Sequence, residues 1–234
     1  MEGHIVRTFD GDLMHLKLRV LEMGGLAIDR VQRAVDALVG EHDEAAHEII
    51  AGDERITVYH HNIEEEAIGL IARRQPVASD LRLILTITKV ALDLERIGHG
   101  GKKIAKLGLE LHQGLEGVPL ASFYRDVRKM ATMALGMVRE ALECLDRLDV
   151  NGALAVVRRD VEIDDELHMA IRELLTYVME DVRWLRHAIQ TVFVLRALER
   201  VGDHARNIAA AVPRLARSES VSEPSSASDE AVKS

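Results

Sequence analysis

Asp93-Leu94-Glu95-Arg96-Ile97-Gly98 returns as Ala197-Leu198-Glu199-Arg200-Val201-Gly202, with Glu199 placed 104 residues after Glu95. The order holds upstream. Gly52-Asp53-Glu54-Arg55-Ile56 is matched by Arg159-Asp160-Val161-Glu162-Ile163 at an offset of 107, and Met23, Val31, Ala34 and Leu38 are matched by Met130, Val138, Ala141 and Leu145 at that same offset. A fixed long offset that slips by a few residues in one connection is the pattern of a structural unit present twice. Each unit then holds about 100 residues, enough for a core of its own. Two similar units imply two similar sites.

Apolar residues recur at spacings of three and four along nearly the whole chain. The first helix is expected over about 8–39, with Leu13, Leu16, Val20, Met23, Ala27, Val31, Ala34 and Leu38 on one face and Gly40 closing it. The second is expected over about 43–73, with Ala46, Ile49, Ile56, Ile63 and Leu70 inward. Pro76, with Ser79 and Asp80 as candidate caps, separates it from a third helix over about 80–107. Gly114, Gly117 and Pro119 mark a linker, after which helices of about 121–148, 152–180 and 183–215 repeat the pattern. Helices of this length with short connections lie antiparallel to their neighbours. The expected fold is all-α: two tandem antiparallel three-helix bundles, six long helices with a pseudo-two-fold internal repeat. The first bundle occupies 1–115, the second 116–216, and 217–234 form a disordered polar tail of Ser, Glu, Ala and Asp.

Composition agrees. The chain of 234 residues is 47% hydrophobic but only 3% aromatic, so its core is aliphatic, as in helix bundles. A formal charge of −9 argues against nucleic acid, whose phosphates require Lys and Arg, and gives no support to an anionic membrane surface. The single cysteine, Cys144, has no intrachain partner and reads as a small core residue. No run of about 18 apolar residues spans a membrane, and no apolar signal core opens the chain. The expected location is the cytoplasm, with membrane contact only through partners.

Two seams end in charge. Leu81, Leu85, Thr88, Leu92, Glu95 and His99 form one stripe, and Leu185, Ile189, Val192, Arg196, Glu199 and Asp203 form its counterpart. Residues at i and i+4 stack on one helix face, so Glu95/His99 and Glu199/Asp203 each aim two ligand atoms at one point. Asp160 and Asp164 are a further pair at that spacing, and Asp53/Thr57 is the first-unit counterpart. Across a bundle, the second unit's four carboxylates can serve one hard cation, while His99 opens the first to softer ions. The candidate metal residues are Glu199, Asp203, Asp160, Asp164, Glu95, His99 and Asp53. Solvated charge and ordinary interhelical salt bridges are the competing reading of the same spacing. Arg96 and Arg200 are expected to tie down neighbouring helices or pair with acids.

Other motifs carry less. Glu44-x-x-His47 has di-iron ligand spacing but occurs once, where such bundles need it twice. His60-His61 are adjacent, project to different faces, and are expected to be solvated. Gly98 and Gly202 fall mid-helix, where glycine costs about 1 kcal/mol against alanine. Their repetition implies close approach by a neighbouring helix or a ligand. No Gly-rich phosphate loop, Gly-x-Ser-x-Gly elbow or Cys-x-x-Cys is present, so no catalytic group and no organic cofactor are assigned.

Together these segments resemble the PhoU family of bacterial phosphate-signalling proteins. Arg74-Gln75-Pro76-Val77-Ala78-Ser79-Asp80-Leu81-Arg82 is similar to its signature loop. The two segments around Glu95 and Glu199 are similar to its paired helix motif, and Thr176-Tyr177-Val178-Met179-Glu180-Asp181 to a third signature. The resemblance covers about 8–215. It implies two three-helix bundles and a carboxylate motif, Glu or Asp then Asp four residues on, that holds metal ions in some members. That motif is intact at Glu199/Asp203 and Asp160/Asp164 and broken at Glu95/His99 and Asp53/Thr57. The donor types themselves suit magnesium, calcium, manganese or iron at the carboxylates and iron, zinc or nickel where an imidazole joins them. The resemblance further implies a negative regulator of phosphate uptake and of the phosphate-starvation regulon. Such a regulator couples the transporter's PstB ATPase to the sensor histidine kinase PhoR, often as a homodimer, without catalysis. The competing functions are a metal-dependent phosphatase or oxidase built on the acidic clusters, and a structural adaptor for another transporter.

Overall fold

The computed structural model describes the backbone of residues 2–52, 54–76, 78–113 and 120–222, and the side chains of 11–52, 54–76, 79–113 and 121–217. These residues form α1 (Glu2–Val39), α2 (Asp43–Ala51), α3 (Glu54–Arg74), α4 (Ala78–Leu111), α5 (Leu120–Arg147), α6 (Val150–Glu180), a 3-10 turn (Val182–Trp184) and α7 (Leu185–Ser222). No strand occurs among them. The all-α fold of two antiparallel three-helix bundles is present.

Cross-helix pairs give the directions. α3 runs against α1, since His15 Nδ1 meets Glu66 Oε1 at 2.7 Å while the Tyr59 hydroxyl donates to Glu22 Oε2 at 2.7 Å. α4 runs with α1, since Arg30 and Leu38 face Gly101 and Gly108 in order. The second half repeats this up-down-up course: Arg125 and Lys129 of α5 bind Glu173 and Glu166 of α6 in reverse order. The first core is aliphatic, and the second is aliphatic apart from Phe123 and Tyr124. All eight of α1's stripe residues, from Leu13 to Leu38, are buried. The halves join where α1 packs on α5 and α4 packs against α7.

The duplication reaches the backbone. α1 ends with Glu41 at φ 56° and the His42 N–H donating to Ala37 O at 2.9 Å. α5 ends with Leu148 at φ 53° and the Asp149 N–H donating to Cys144 O at 2.9 Å. All three residues of each stop are offset by 107. This is a Schellman-type stop, which satisfies carbonyls left over in the last turn. Gly40 is therefore not the left-handed residue. Its role is room, because a Cβ there would meet the His42 ring at 2.8 Å and Asp36 O at 2.9 Å. The mid-helix glycines are matched too. A Cβ on Gly202 would lie 2.7 Å from Ile163 Cδ1, and one on Gly98 would overlap Ile56 Cδ1. In each half α4 or α7 gives up a side chain so that the same isoleucine of the middle helix can seat. The close approach is by a neighbouring helix.

Three expectations need correction. The second helix is divided at Gly52, whose N–H caps Glu48 O at 2.9 Å, giving α2 and α3. The last helix runs through Pro213 and continues to Ser222, beyond the expected start of the tail at 217. Residues 223–234 lie outside the described residues, as do Gly114, Gly117 and Pro119 of the expected linker. The charged seams do not start in the core: Leu85, Leu92, Leu185 and Ile189 are exposed. The buried stripe of α4 is the adjoining one, Ile84, Ile87, Ala91, Leu94 and Ile97. Helices packed on several sides are apolar around most of their circumference, so periodicity alone does not choose the inward face.

Candidate metal centre

In the second bundle, the antiparallel packing of α6 on α7 that seats Ile163 against Gly202 also brings two acid pairs face to face. Asp160 and Asp164 stand one turn apart on α6, Glu199 and Asp203 one turn apart on α7. Burial pushes the Glu199 carboxyl above the ordinary carboxylate range, and the charges of Asp203 and Asp164 push the same way against Arg196 and Arg200. Burial also raises Asp160; Arg206 opposes it, while Asp203 and Asp164 reinforce it. Arg206 Nη1 donates to Asp160 Oδ2 at 2.9 Å, so this carboxylate already has one partner. The four form an acidic groove edged by Arg196, Arg200 and Arg206, with a carboxylate donor set suited to a hard cation. They do not form a closed cage: among the described residues, no three of them bring ligand oxygens within 4.8 Å of one another.

The first bundle is built differently. Glu95, with a side chain 14% exposed, faces His60 Nδ1 at 3.0 Å and His99 Nε2 at 3.6 Å. Its two imidazole neighbours make this a mixed nitrogen and oxygen site. Thr57 is half-buried and Asp53 lies outside the described residues.

His60 corrects the sequence reading. It is buried, while His61 is exposed. Ile56, His60, Ile63, Ala67 and Leu70 are all buried at spacings of four and three, so His60 occupies a core position of α3. Membership of that stripe was the available signal. The duplication hid it, because the residue 107 further on is the apolar Leu167. By contrast Glu44 and His47 are exposed on α2, and nothing joins them into a di-iron set.

Between the halves, Arg96, His99, Gly100 and Lys103 of α4 and Ala197, Arg200, Val201 and His204 of α7 line an open cleft of about 330 Å³. Arg96 and Arg200 are exposed and line this cleft, so neither is buried against a neighbouring helix. The floor is held by His204 Nδ1 against Asp93 Oδ1 at 2.9 Å, with side chains 12% and 16% exposed. The other signature segments are structural. Arg74 Nη2 donates to Asp12 Oδ2 at 3.2 Å, fastening the end of α3 to α1. Tyr177 lies edge-on to Phe123 and Trp184, and Asp181 caps the 3-10 turn by accepting from the Arg183 N–H at 2.9 Å. Cys144 is buried and its thiol is pushed up by that burial, so it is a poor nucleophile. Among the described residues, no helix is long and apolar enough to cross a membrane.

Comparison with known proteins places this arrangement. The PhoU domain description matches residues 20–108 and 127–212. The two starts differ by 107 and the two ends by 104, the offsets of the internal repeat. The chain is 42% identical over 214 residues to the phosphate-specific transport system accessory protein PhoU homolog of Pseudomonas putida, covering 92% of this chain and 82% of the relative. It is 32% identical over 208 residues to the phosphate-specific transport system accessory protein PhoU of Escherichia coli K12, covering 89% and 85%. The crystal structure of PhoU from Pseudomonas aeruginosa superimposes with a TM-score of 0.83 at 40% identity, over 90% of this chain and 99% of the other. That of the phosphate transport system regulatory protein PhoU from Streptococcus pneumoniae gives 0.81 at 26% identity, over 90% and 97%.

Proposed function

This chain belongs to the PhoU domain family, and from that premise we propose that it is the accessory regulator of a phosphate-specific transport system. It restrains phosphate uptake and the phosphate-starvation regulon when phosphate is plentiful, by coupling a PstB-type transporter ATPase to a PhoR-type sensor kinase. It works in the cytoplasm as a non-catalytic adaptor and as a homodimer. Its two bundles, 1–115 and 116–216, are its two domains.

The observation that supports this most is the extent of the likeness: 42% identity runs through 92% of the chain to a protein named for the phosphate-specific transport system. The physics of the fold agrees. Two bundles joined along α1–α5 and α4–α7 present long helical faces, and exposed Leu175, Met179, Val182, Leu185, Ile189 and Phe193 gather at one end of α6 and α7. Helix-face binding takes its affinity from a few such anchors and its selectivity from surrounding charge. To transmit a signal, the adaptor must bind one state of the kinase or transporter more tightly than the other.

Asp160, Asp164, Glu199 and Asp203 would hold a hard cation, with Glu95 and His99 as a poorer first-bundle set completed by Asp53. Such an ion would supply positive charge lashing α6 to α7. Affinity capture with this chain as bait, from cells grown at high and at low phosphate, tests the role. Recovery of a PstB-type ATPase and a PhoR-type kinase, in amounts that depend on phosphate, is expected. Recovery of neither at both phosphate levels would remove the proposal.

A further inference from the structure

Beyond the acidic groove lies a cluster with its own chemistry. His60, His61 and Glu64, all on α3, bring one ligand atom each within 4.8 Å of one another. His60 Nε2 stands 3.5 Å from Glu64 Oε1, and His61 Nδ1 stands 3.4 Å from Glu64 Oε2. The two rings stack at 5.7 Å with an interplanar angle of 26°.

His60 makes this more than surface charge. Its side chain is 7% exposed, and its Nε2 is buried without a hydrogen bond. Its Nδ1 faces Glu95 Oε2 at 3.0 Å. With Nδ1 facing the Glu95 carboxylate, Nε2 is the ring nitrogen left for a ligand. Glu64 Oε1 lies 3.5 Å away without a hydrogen bond to it. A buried ring nitrogen left without a hydrogen bond costs free energy that a bound cation would remove. The spacing also admits one: one ligand atom from each residue lies within 4.8 Å of the others, and the two imidazole nitrogens stand 3.5 and 3.4 Å from opposite oxygens of the Glu64 carboxylate.

We propose that His60 Nε2, His61 Nδ1 and Glu64 form a zinc-type site on α3, with Glu95 of α4 as the carboxylate that orients His60. Two imidazoles and one carboxylate favour borderline ions such as Zn²⁺ over Mg²⁺ or Ca²⁺. Three protein ligands leave a fourth position to water. The His61 and Glu64 side chains are 67% and 45% exposed, so the site opens to solvent and the ion has a path in. The arrangement of carboxylate, histidine and metal is the usual way a ligating imidazole is fixed. None of its three ligands belongs to the acid pairs of the second bundle, and the site stands apart from the regulatory role.

The test uses the full chain without a histidine tag, stripped with EDTA and titrated with Zn²⁺ against a chromophoric chelator. Wild type is expected to take up one equivalent that Glu64→Gln and His61→Ala each lose, with affinity falling at least about 100-fold; both sites are exposed, and a thermal melt verifies that the variants fold. Glu95→Gln should weaken the same equivalent about 10- to 100-fold. The combined variant Asp160→Asn, Asp164→Asn, Glu199→Gln, Asp203→Asn should retain it. With Co²⁺ as probe, visible bands of a four-coordinate ion should appear in wild type and vanish with His61→Ala. Equal zinc stoichiometry and affinity in wild type, Glu64→Gln and His61→Ala would overturn the proposal, as would wild-type binding only at millimolar Zn²⁺. Partner capture is read separately, so failure of this site leaves the regulatory reading standing, and the reverse.

Discussion

Replacing Gly98 with alanine tests the packing on which the first bundle turns. A Cβ at this position would overlap Ile56 Cδ1 and lie 3.3 Å from both Ile56 Cγ1 and Ile56 Cγ2. Both residues are buried, so the isoleucine must change rotamer or α3 must move away from α4. Overpacking of this kind costs about 1–3 kcal/mol. Alanine returns about 1 kcal/mol of helix propensity, so the net loss is about 0–2 kcal/mol. For a chain of this size that lowers the melting temperature by up to roughly 8 °C. Ile56→Val removes the offending methyl and costs about 0.5–1.5 kcal/mol alone. In the double variant the clash is gone while the propensity gain remains. A double-mutant cycle by urea denaturation should therefore give a favourable coupling of about 1–3 kcal/mol, the clash relieved. Gly202→Ala supplies the contrast, because its Cβ would crowd only the terminal Ile163 Cδ1 at 2.7 Å, the next atom being 3.8 Å away. That methyl can swing aside, and the net change should stay within about 1 kcal/mol of zero. Strict additivity of Gly98→Ala and Ile56→Val would refute this packing argument.

Three further outcomes are expected. Glu199→Gln should raise the melting temperature of chelator-treated protein at neutral pH: the folded state holds this carboxyl above its ordinary value, so its stabilising contribution is full below about pH 4 and is lost as the pH rises through the folded value. Melts from about pH 4 to pH 8 should show the gain appearing only toward the upper end, and a lower melting temperature at pH 8 would contradict it. His204→Ala strands the largely buried Asp93 carboxylate between the halves and should cost about 1–3 kcal/mol in urea denaturation; a loss below about 0.5 kcal/mol would mean that water replaces the imidazole. Glu41→Gly relieves an exposed side chain from φ 56° and should stabilise by about 0.5–1 kcal/mol, with unchanged or lower thermal stability as the contrary result.

Much of this molecule is legible in its sequence because duplication leaves two copies of each constraint. The Gly98/Gly202 and Ile56/Ile163 pairs carry the packing of each middle helix, and the stop after α5 copies the stop after α1. The same reliance on repetition concealed what is unique to one half. His60 has the apolar Leu167 as counterpart, so the repeat carries no sign of the imidazole that faces Glu95. The break at Gly52 was also hidden, since the apolar period of α2 runs into that of α3. The exposed positions of Leu85 and Leu185 were beyond periodicity for another reason. The inward face of a helix is chosen by its partners, and those are fixed only once α4 lies between α1, α3 and α7. The acid pairs of α6 and α7 were found from their spacing, whereas the guanidinium that holds Asp160 comes from a turn beyond Asp203 and is seen only in three dimensions.

The central claim is that this pair of sister bundles restrains the phosphate-starvation response. The most direct measurement is expression of a starvation-regulon reporter in cells lacking the gene and grown in abundant phosphate. Derepression that is reversed by the intact gene is predicted; a reporter as silent as in the parent strain would contradict the account.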